Sequence, residues 1–129
     1  MVSKEKKIKI LLVEDDTFLL EMYSTKFNLE GFDVVAAADG EEGLKLAKKE
    51  KPDIVLLDVL MPKIDGFTVL KKLKKDSQTK AIPVVLLTNL GQKNDIDKGL
   101  KDGAEGYLIK AHFIPSEVVS KIKKILSKS

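Results

Sequence analysis

The chain has 129 residues, 33% of them charged, with 23 basic residues against 20 acids and a formal net charge of +3 at pH 7. That length suits one domain with its own hydrophobic core, and the absence of cysteine excludes a disulfide framework and thiolate chemistry. Every basic residue is lysine, and the surplus is too mild to mark a nucleic-acid-binding surface.

The opening, Met-Val-Ser-Lys-Glu-Lys-Lys, is charged. The apolar stretch behind it is too short for a signal peptide or a membrane span, so a soluble cytoplasmic protein is expected. Ile8 to Val13 reads as a buried strand that ends on Glu14-Asp15-Asp16. Thr17 to Glu30 reads as a helix with Phe18, Leu19, Met22, Phe27 and Leu29 on one face. Asp16 is its candidate N-cap and Gly31 its stop. Phe32 to Ala38 is a second, shorter strand. Asp39-Gly-Glu-Glu42 has capping-box spacing, so a helix starts there and runs to about Lys49.

Ile54 to Leu57 is an unbroken apolar run, as in a parallel strand buried on both faces. It ends at Asp58, with Met61-Pro62 and Asp65-Gly66 as turn signals. A third helix covers Phe67 to Lys75, with Phe67, Leu70 and Leu73 facing inward. After Pro83, Val84 to Leu87 forms a fourth strand that ends at Thr88-Asn89. A weak helix follows over Gln92 to Lys101, interrupted by Gly99 and closed by Gly103. Gly106 to Ile109 is a fifth strand ending at Lys110. The last helix runs from Ser116 to Leu126, with Val118, Val119, Ile122, Ile125 and Leu126 apolar. Val118 or Ile122 is a candidate for a partner-binding edge. The doublets Lys71-Lys72 and Lys74-Lys75, and Lys121, Lys123, Lys124 and Lys128, read as solvated helix faces.

Strict strand–helix alternation, five times over, predicts an α/β fold with a parallel sheet and helices on both faces. One domain over residues 1–129 is expected, with no output domain. Parallel strands gather their carboxyl ends on one edge, where open α/β sheets bind ligands. That edge collects Glu14, Asp15, Asp16, Asp58, Thr88 and Lys110. Without His, Cys or a Ser beside a base, a hydrolase triad is excluded. Carboxylates about 4 Å apart repel by roughly 4 kcal/mol per pair at an effective dielectric near 20. A hard divalent cation such as Mg2+ relieves this and welcomes phosphate oxygens. The parts suit phosphoryl transfer, with Asp58 a candidate nucleophile. Asp16 reads as a cap rather than a ligand, and His112 as an ordinary loop residue.

Two other readings are weaker. A haloacid-dehalogenase-like phosphohydrolase needs Asp-x-Asp just after the first strand, and Glu14-Asp15-Asp16 lacks that register. A flavodoxin-like cofactor binder needs phosphate-accepting donors in its first loop, and this loop is acidic.

Four segments in order, Leu-Leu-Val-Glu-Asp-Asp, Asp-Ile-Val-Leu-Leu-Asp-Val-Leu-Met-Pro with Asp-Gly following, Leu-Leu-Thr, and Gly-Ala-Glu-Gly-Tyr-Leu-Ile-Lys, resemble the receiver domain of bacterial two-component response regulators. The resemblance covers nearly the whole chain. It implies a flavodoxin-like doubly wound sheet of order 2-1-3-4-5. It implies a phosphorylation-dependent signalling switch rather than an enzyme, with self-catalysed phosphotransfer and autodephosphorylation. Asp58 resembles the phosphoacceptor. Asp15 and Glu14 resemble the acidic pair that holds Mg2+, directly and through water, with the Leu60 backbone carbonyl as a further ligand. Thr88 resembles the switch hydroxyl, Tyr107 the aromatic that follows it, and Lys110 the lysine that pairs with the phosphoryl oxygen. The implied donor is a histidine kinase or a phosphotransfer protein. The implied output is a partner protein, or a homodimer, on the face of the last two helices and the fifth strand.

The chain departs from the family pattern twice. Ala111 stands where a proline in a cis peptide usually follows the lysine. Either the Lys110–Ala111 peptide is trans and Lys110 is delivered differently, or the loop holds a strained bond. Asn89 stands where a small residue often follows the switch hydroxyl, and its bulk is expected to narrow access to the phosphoryl group. Ala111 also leaves open a phosphate-independent docking module on the same fold.

Overall fold

The computed structural model describes residues 7–128. The first six residues of the charged opening lie outside them. Five strands, β1 (Lys9–Val13), β2 (Asp33–Ala37), β3 (Ile54–Leu57), β4 (Val84–Thr88) and β5 (Gly106–Ile109), alternate with five helices. These are α1 (Thr17–Leu29), α2 (Gly40–Glu50), α3 (Gly66–Lys75), α4 (Lys93–Lys101) and α5 (Pro115–Ser127), with a 3-10 turn at Lys110–His112. The strands are all parallel, in the order β2-β1-β3-β4-β5.

Apart from Lys9 and Thr88 at their ends, the central strands are apolar because both faces are covered. Successive side chains point to opposite faces. Ile10, Leu12, Ile54, Leu56, Val85 and Leu87 pack with Tyr23 and Phe27 of α1 and with Val118 and Ile122 of α5. Leu11, Val13, Val55, Leu57, Val84 and Leu86 pack with α2 and α3 through Ala47, Val69, Leu70 and Leu73.

Helix ends follow their local chemistry. Asp16, Asp39 and Asp65 each accept the N–H three residues on, at 3.1, 2.8 and 2.9 Å. Glu42 reaches back to the Ala38 N–H rather than to Asp39, one residue short of a closed capping box. Gly31 (φ +93°) and Gly103 (φ +110°) end α1 and α4 in the left-handed region that glycine alone adopts without strain. The weak helix, α4, has no side-chain N-cap bond, and Gly99 is its one buried residue.

Two expectations need correction. In α1, Phe18 and Leu29 are 73% and 79% exposed, while Tyr23 and Phe27 are buried. The inward stripe runs through Leu19, Tyr23 and Phe27 at four-residue spacing, which rotates Phe18 and Leu29 away. In α5, Val118 and Ile122 are fully buried, so neither forms a partner-binding edge. Both sit against the sheet among Leu12, Leu56 and Leu108.

Gly66 has the tightest surroundings of the glycines in the described residues. A Cβ there would lie 2.2 Å from the Asp58 carbonyl oxygen and 2.6 Å from Val59 Cα. Its N–H donates to the Val59 carbonyl at 2.9 Å, so α3 starts directly on the backbone behind Asp58. Backbone cannot yield as a flexible side chain can. Gly66→Ala is expected to cost about 3 kcal/mol, measured by urea unfolding. An unchanged midpoint would show that α3 shifts freely on its N-terminal loop.

Candidate functional site

The alternation that builds the two cores also sorts the residues at the strand ends. The ladder runs one step past the strands: the Glu14 N–H donates to the Ala37 carbonyl at 3.0 Å, and the Asp58 N–H to the Val13 carbonyl at 3.1 Å. Glu14 therefore continues the Ile10–Leu12 face, and Asp58 the Ile54–Leu56 face. Lys110 follows Leu108 with the same parity. Thr88 and Tyr107 fall on the opposite face, with Leu86 and α4.

Lys110 joins the first group. Its Nζ lies 2.5 Å from Glu14 Oε1 and 2.8 Å from Asp58 Oδ2. All three are largely withdrawn from water, with side chains 11%, 4% and 6% exposed. The Leu60 N–H donates to Asp58 Oδ1 at 3.2 Å, and the Asp16 N–H to Glu14 Oε2 at 3.0 Å. Asp15 is exposed beside them. Glu14, Asp15 and Asp58 each offer a carboxylate oxygen, all within 4.8 Å of one another. Three carboxylates against one ammonium leave a net negative pocket with oxygen donors, the set that a hard divalent cation fits. Asp16 is taken up by its capping bond to Leu19. His112 is exposed.

Burial pushes the Glu14 carboxyl above its ordinary value, and the bonds to Lys110 and to the Asp16 N–H do not reverse this. Burial alone would lower the Lys110 ammonium. The bonds to Asp58 and Glu14 outweigh it and hold Lys110 above its usual value. The site is thus poised for positive charge from outside.

On the other face, Thr88 is fully buried, and its Oγ1 accepts the Leu90 N–H at 3.3 Å. The Tyr107 hydroxyl donates to the Leu90 carbonyl in a short bond. Burial, with Asp95 and Asp58 nearby, pushes the Tyr107 hydroxyl up to about 12. Its ring lies against α4 where Gly99 leaves room: a Cβ at Gly99 would sit 3.0 Å from Tyr107 Cδ2.

The Lys110–Ala111 peptide is trans. Lys110 opens the 3-10 turn, and the Ala111 N–H donates to Asn89 Oδ1 at 3.0 Å. Sequence reasoning missed this bond, the double tie at Leu90, and Tyr23. Burial raises the Tyr23 hydroxyl, with Lys110, Glu14 and Asp58 close enough to act on it. The Leu19–Tyr23–Phe27 spacing could have found Tyr23. The Thr88–Leu90 bond is local, but no local pattern marks the Leu90–Tyr107 and Asn89–Ala111 bonds, which join residues 17 and 22 apart.

Glu14→Gln removes a buried charge that folding disfavours. In the absence of divalent ions it should raise the melting temperature at neutral pH. Because the folded pKa lies above 4.5, the penalty applies at neutral pH and vanishes below that value. The gap between variant and wild type should therefore close on acidification through that range, as pH-dependent melting would reveal.

Residues 10–123 match the response regulator receiver domain family. The chain is 38% identical over 121 residues to the DNA-binding dual master transcriptional regulator RpaA of Synechocystis, covering 94% of this chain and 50% of that protein. It is 40% identical over 121 residues to the alkaline phosphatase synthesis transcriptional regulatory protein PhoP of Bacillus subtilis, covering 94% and 49%. It spans about half the length of these curated relatives. The solved structure of chemotaxis protein CheY4 of Vibrio cholerae superposes with a TM-score of 0.87 at 32% identity, over 93% of this chain and 99% of that one. With the parallel order β2-β1-β3-β4-β5 and the acidic pocket at its carboxyl edge, the chain belongs to the response regulator receiver domain family of two-component signalling.

Proposed function

We propose that Asp58 accepts a phosphoryl group and that the chain works as a phosphorylation-dependent switch. The observation that carries this is the Lys110 ammonium held between Glu14 and Asp58 in an otherwise acidic pocket. An Asp58 carboxylate oxygen attacks the phosphorus of a phosphohistidine on a kinase or phosphotransfer protein. A P–O bond forms, the P–N bond breaks, and its electron pair returns to the donor imidazole. The product is an acyl phosphate. Lys110 is already beside the acceptor oxygen and pairs with a phosphoryl oxygen as charge arrives there. The Thr88 hydroxyl supplies a hydrogen bond once it turns from Leu90. Glu14, Asp15 and Asp58, with the Leu60 carbonyl, would hold Mg2+, which when bound neutralises charge on the phosphoryl oxygens. The chemistry is self-catalysed phosphotransfer and hydrolysis on one acceptor, serving signalling.

Leu90 supports the switch. Its N–H is tied to Thr88 and its carbonyl to Tyr107. A Thr88 hydroxyl drawn toward the phosphoryl group releases the Leu90 N–H and disturbs the seat of the Tyr107 hydroxyl. The face made by α4, β5 and α5 then changes, and with it the binding of a partner protein or a second copy. Direct nucleic-acid contact is not part of this reading; among the described residues Lys9, Lys48, Lys98 and Lys123 are taken up in ion pairs with Glu50, Asp76, Asp102 and Glu30. No helix among the described residues is long and apolar enough to cross a membrane. We place the protein in the cytoplasm, where its phosphodonors act.

The test is intact mass after incubation with acetyl phosphate and Mg2+. One phosphoryl adduct is expected, absent in Asp58→Asn and without metal. Lys110→Ala should slow its formation by about ten-fold or more, the loss of a charge-assisted contact. An adduct that persists in Asp58→Asn would move the acceptor elsewhere. If neither an adduct nor a Mg2+-dependent response to beryllofluoride is seen, the phosphate-independent docking module replaces the switch.

A further inference from the structure

Beyond the Thr88–Ile109 pair the register between β4 and β5 ends. The two chains diverge there, yet each carries a residue the reaction needs, Thr88 on one and Lys110 on the other. The 3-10 turn that begins at Lys110 is short and has no side-chain cap bond. Its own closing bond, from the Phe113 N–H to the Lys110 carbonyl, is long at 3.3 Å. Little within the turn fixes where the Lys110 backbone sits. Across the gap, Asn89 Oδ1 accepts the Ala111 N–H at 3.0 Å, joining residues 22 apart. A backbone N–H only donates, so the Asn89 carbonyl must face it.

We propose that Asn89 is a positioning residue for phosphoryl uptake: through the Ala111 N–H it fixes the Lys110 backbone against the Thr88 end of β4. This rests on the phosphoacceptor reading of Asp58. The lysine stem is long and freely rotating, and its head must meet two carboxylates at once. Fixing the backbone at its root confines that search before the donor arrives. Asn89 also follows Thr88 directly, so the tie places both phosphoryl-contacting groups on one frame. Ala111 supplies the donor, and Asn89 is the side chain that uses it. The two departures from the family pattern thus form one pair.

A competing role for Asn89 is bulk over Asp58, and a double-mutant cycle separates the two. The proteins are wild type, Asn89→Ala, a full-length chain with the Lys110–Ala111 amide replaced by an ester (lactate at 111), and the combination. The ester removes the N–H and leaves every side chain in place. Uptake from acetyl phosphate with Mg2+ is followed by intact mass, and Mg2+ affinity by titration. Asn89→Ala and the ester should each slow uptake about three- to ten-fold, the loss of one ordinary hydrogen bond. The combination should be no slower than either alone. Mg2+ affinity should stay within about two-fold, because the acidic ligands are untouched. Three results overturn the role of Asn89: unchanged uptake in Asn89→Ala, effects that multiply in the combination, or a matching fall in Mg2+ affinity. A wild-type chain that takes no phosphoryl group overturns the acceptor reading as well, and does so in the arm without substitutions.

Discussion

The Lys110 ammonium shared by Glu14 and Asp58 is the constraint on which the site depends. Two carboxylates this far from water are costly together, and one counter-charge serves both. Its source follows from sheet geometry. Glu14 and Asp58 extend adjacent strands, so short side chains bring them together. Lys110 comes from β5, with β4 between it and β3. Two strand spacings are about 10 Å, which only a long side chain spans. Lysine does so with a compact charge that can shift to a new oxygen without a fixed bonding plane. A site that holds two carboxylates on one ammonium suits that property.

The period of two along each strand then divides the work. Glu14, Asp58 and Lys110 share the face that packs on α1 and α5, where Phe27 and Ile122 exclude water. Thr88 and Tyr107 share the face that packs on α2, α3 and α4. The charge chemistry and the response to it lie on opposite sides of one sheet edge, linked through the backbone at the ends of β3 and β4. Gly66 is forced by the same crowding, since α3 starts where the Asp58 carbonyl leaves no room for a Cβ.

Much of this was legible in the residues. Unbroken apolar runs marked the doubly covered strands, and acids at strand ends marked the pocket. Asp16 and Asp39 marked their helices because capping is local. What stayed hidden depended on two distant segments meeting. The exposed Phe18 and Leu29 looked like core because composition cannot say which of several overlapping stripes faces the sheet. Val118 or Ile122 was a candidate for a partner-binding edge because the depth of α5 against β1 and β3 is a tertiary fact. Ala111 read as a defect, and Asn89 as an obstruction, because the bond between them is invisible until β4 and β5 lie side by side.

That bond belongs to a run of three residues, each tied to something different. Thr88 holds the Leu90 N–H, Asn89 holds Ala111, and Leu90 receives Tyr107. A loop tied at three successive residues leads into a weakly anchored helix. α4 has no side-chain cap bond and buries a single glycine, so little packing energy opposes its displacement. A change of partner at Thr88 need not travel far. That loop is bonded to Ala111 and Tyr107, and it runs directly into α4. The stiffness lies where geometry must be kept and the softness where a signal must leave. The first comes from Thr88, Asn89 and Leu90, and the second from the uncapped helix that follows them.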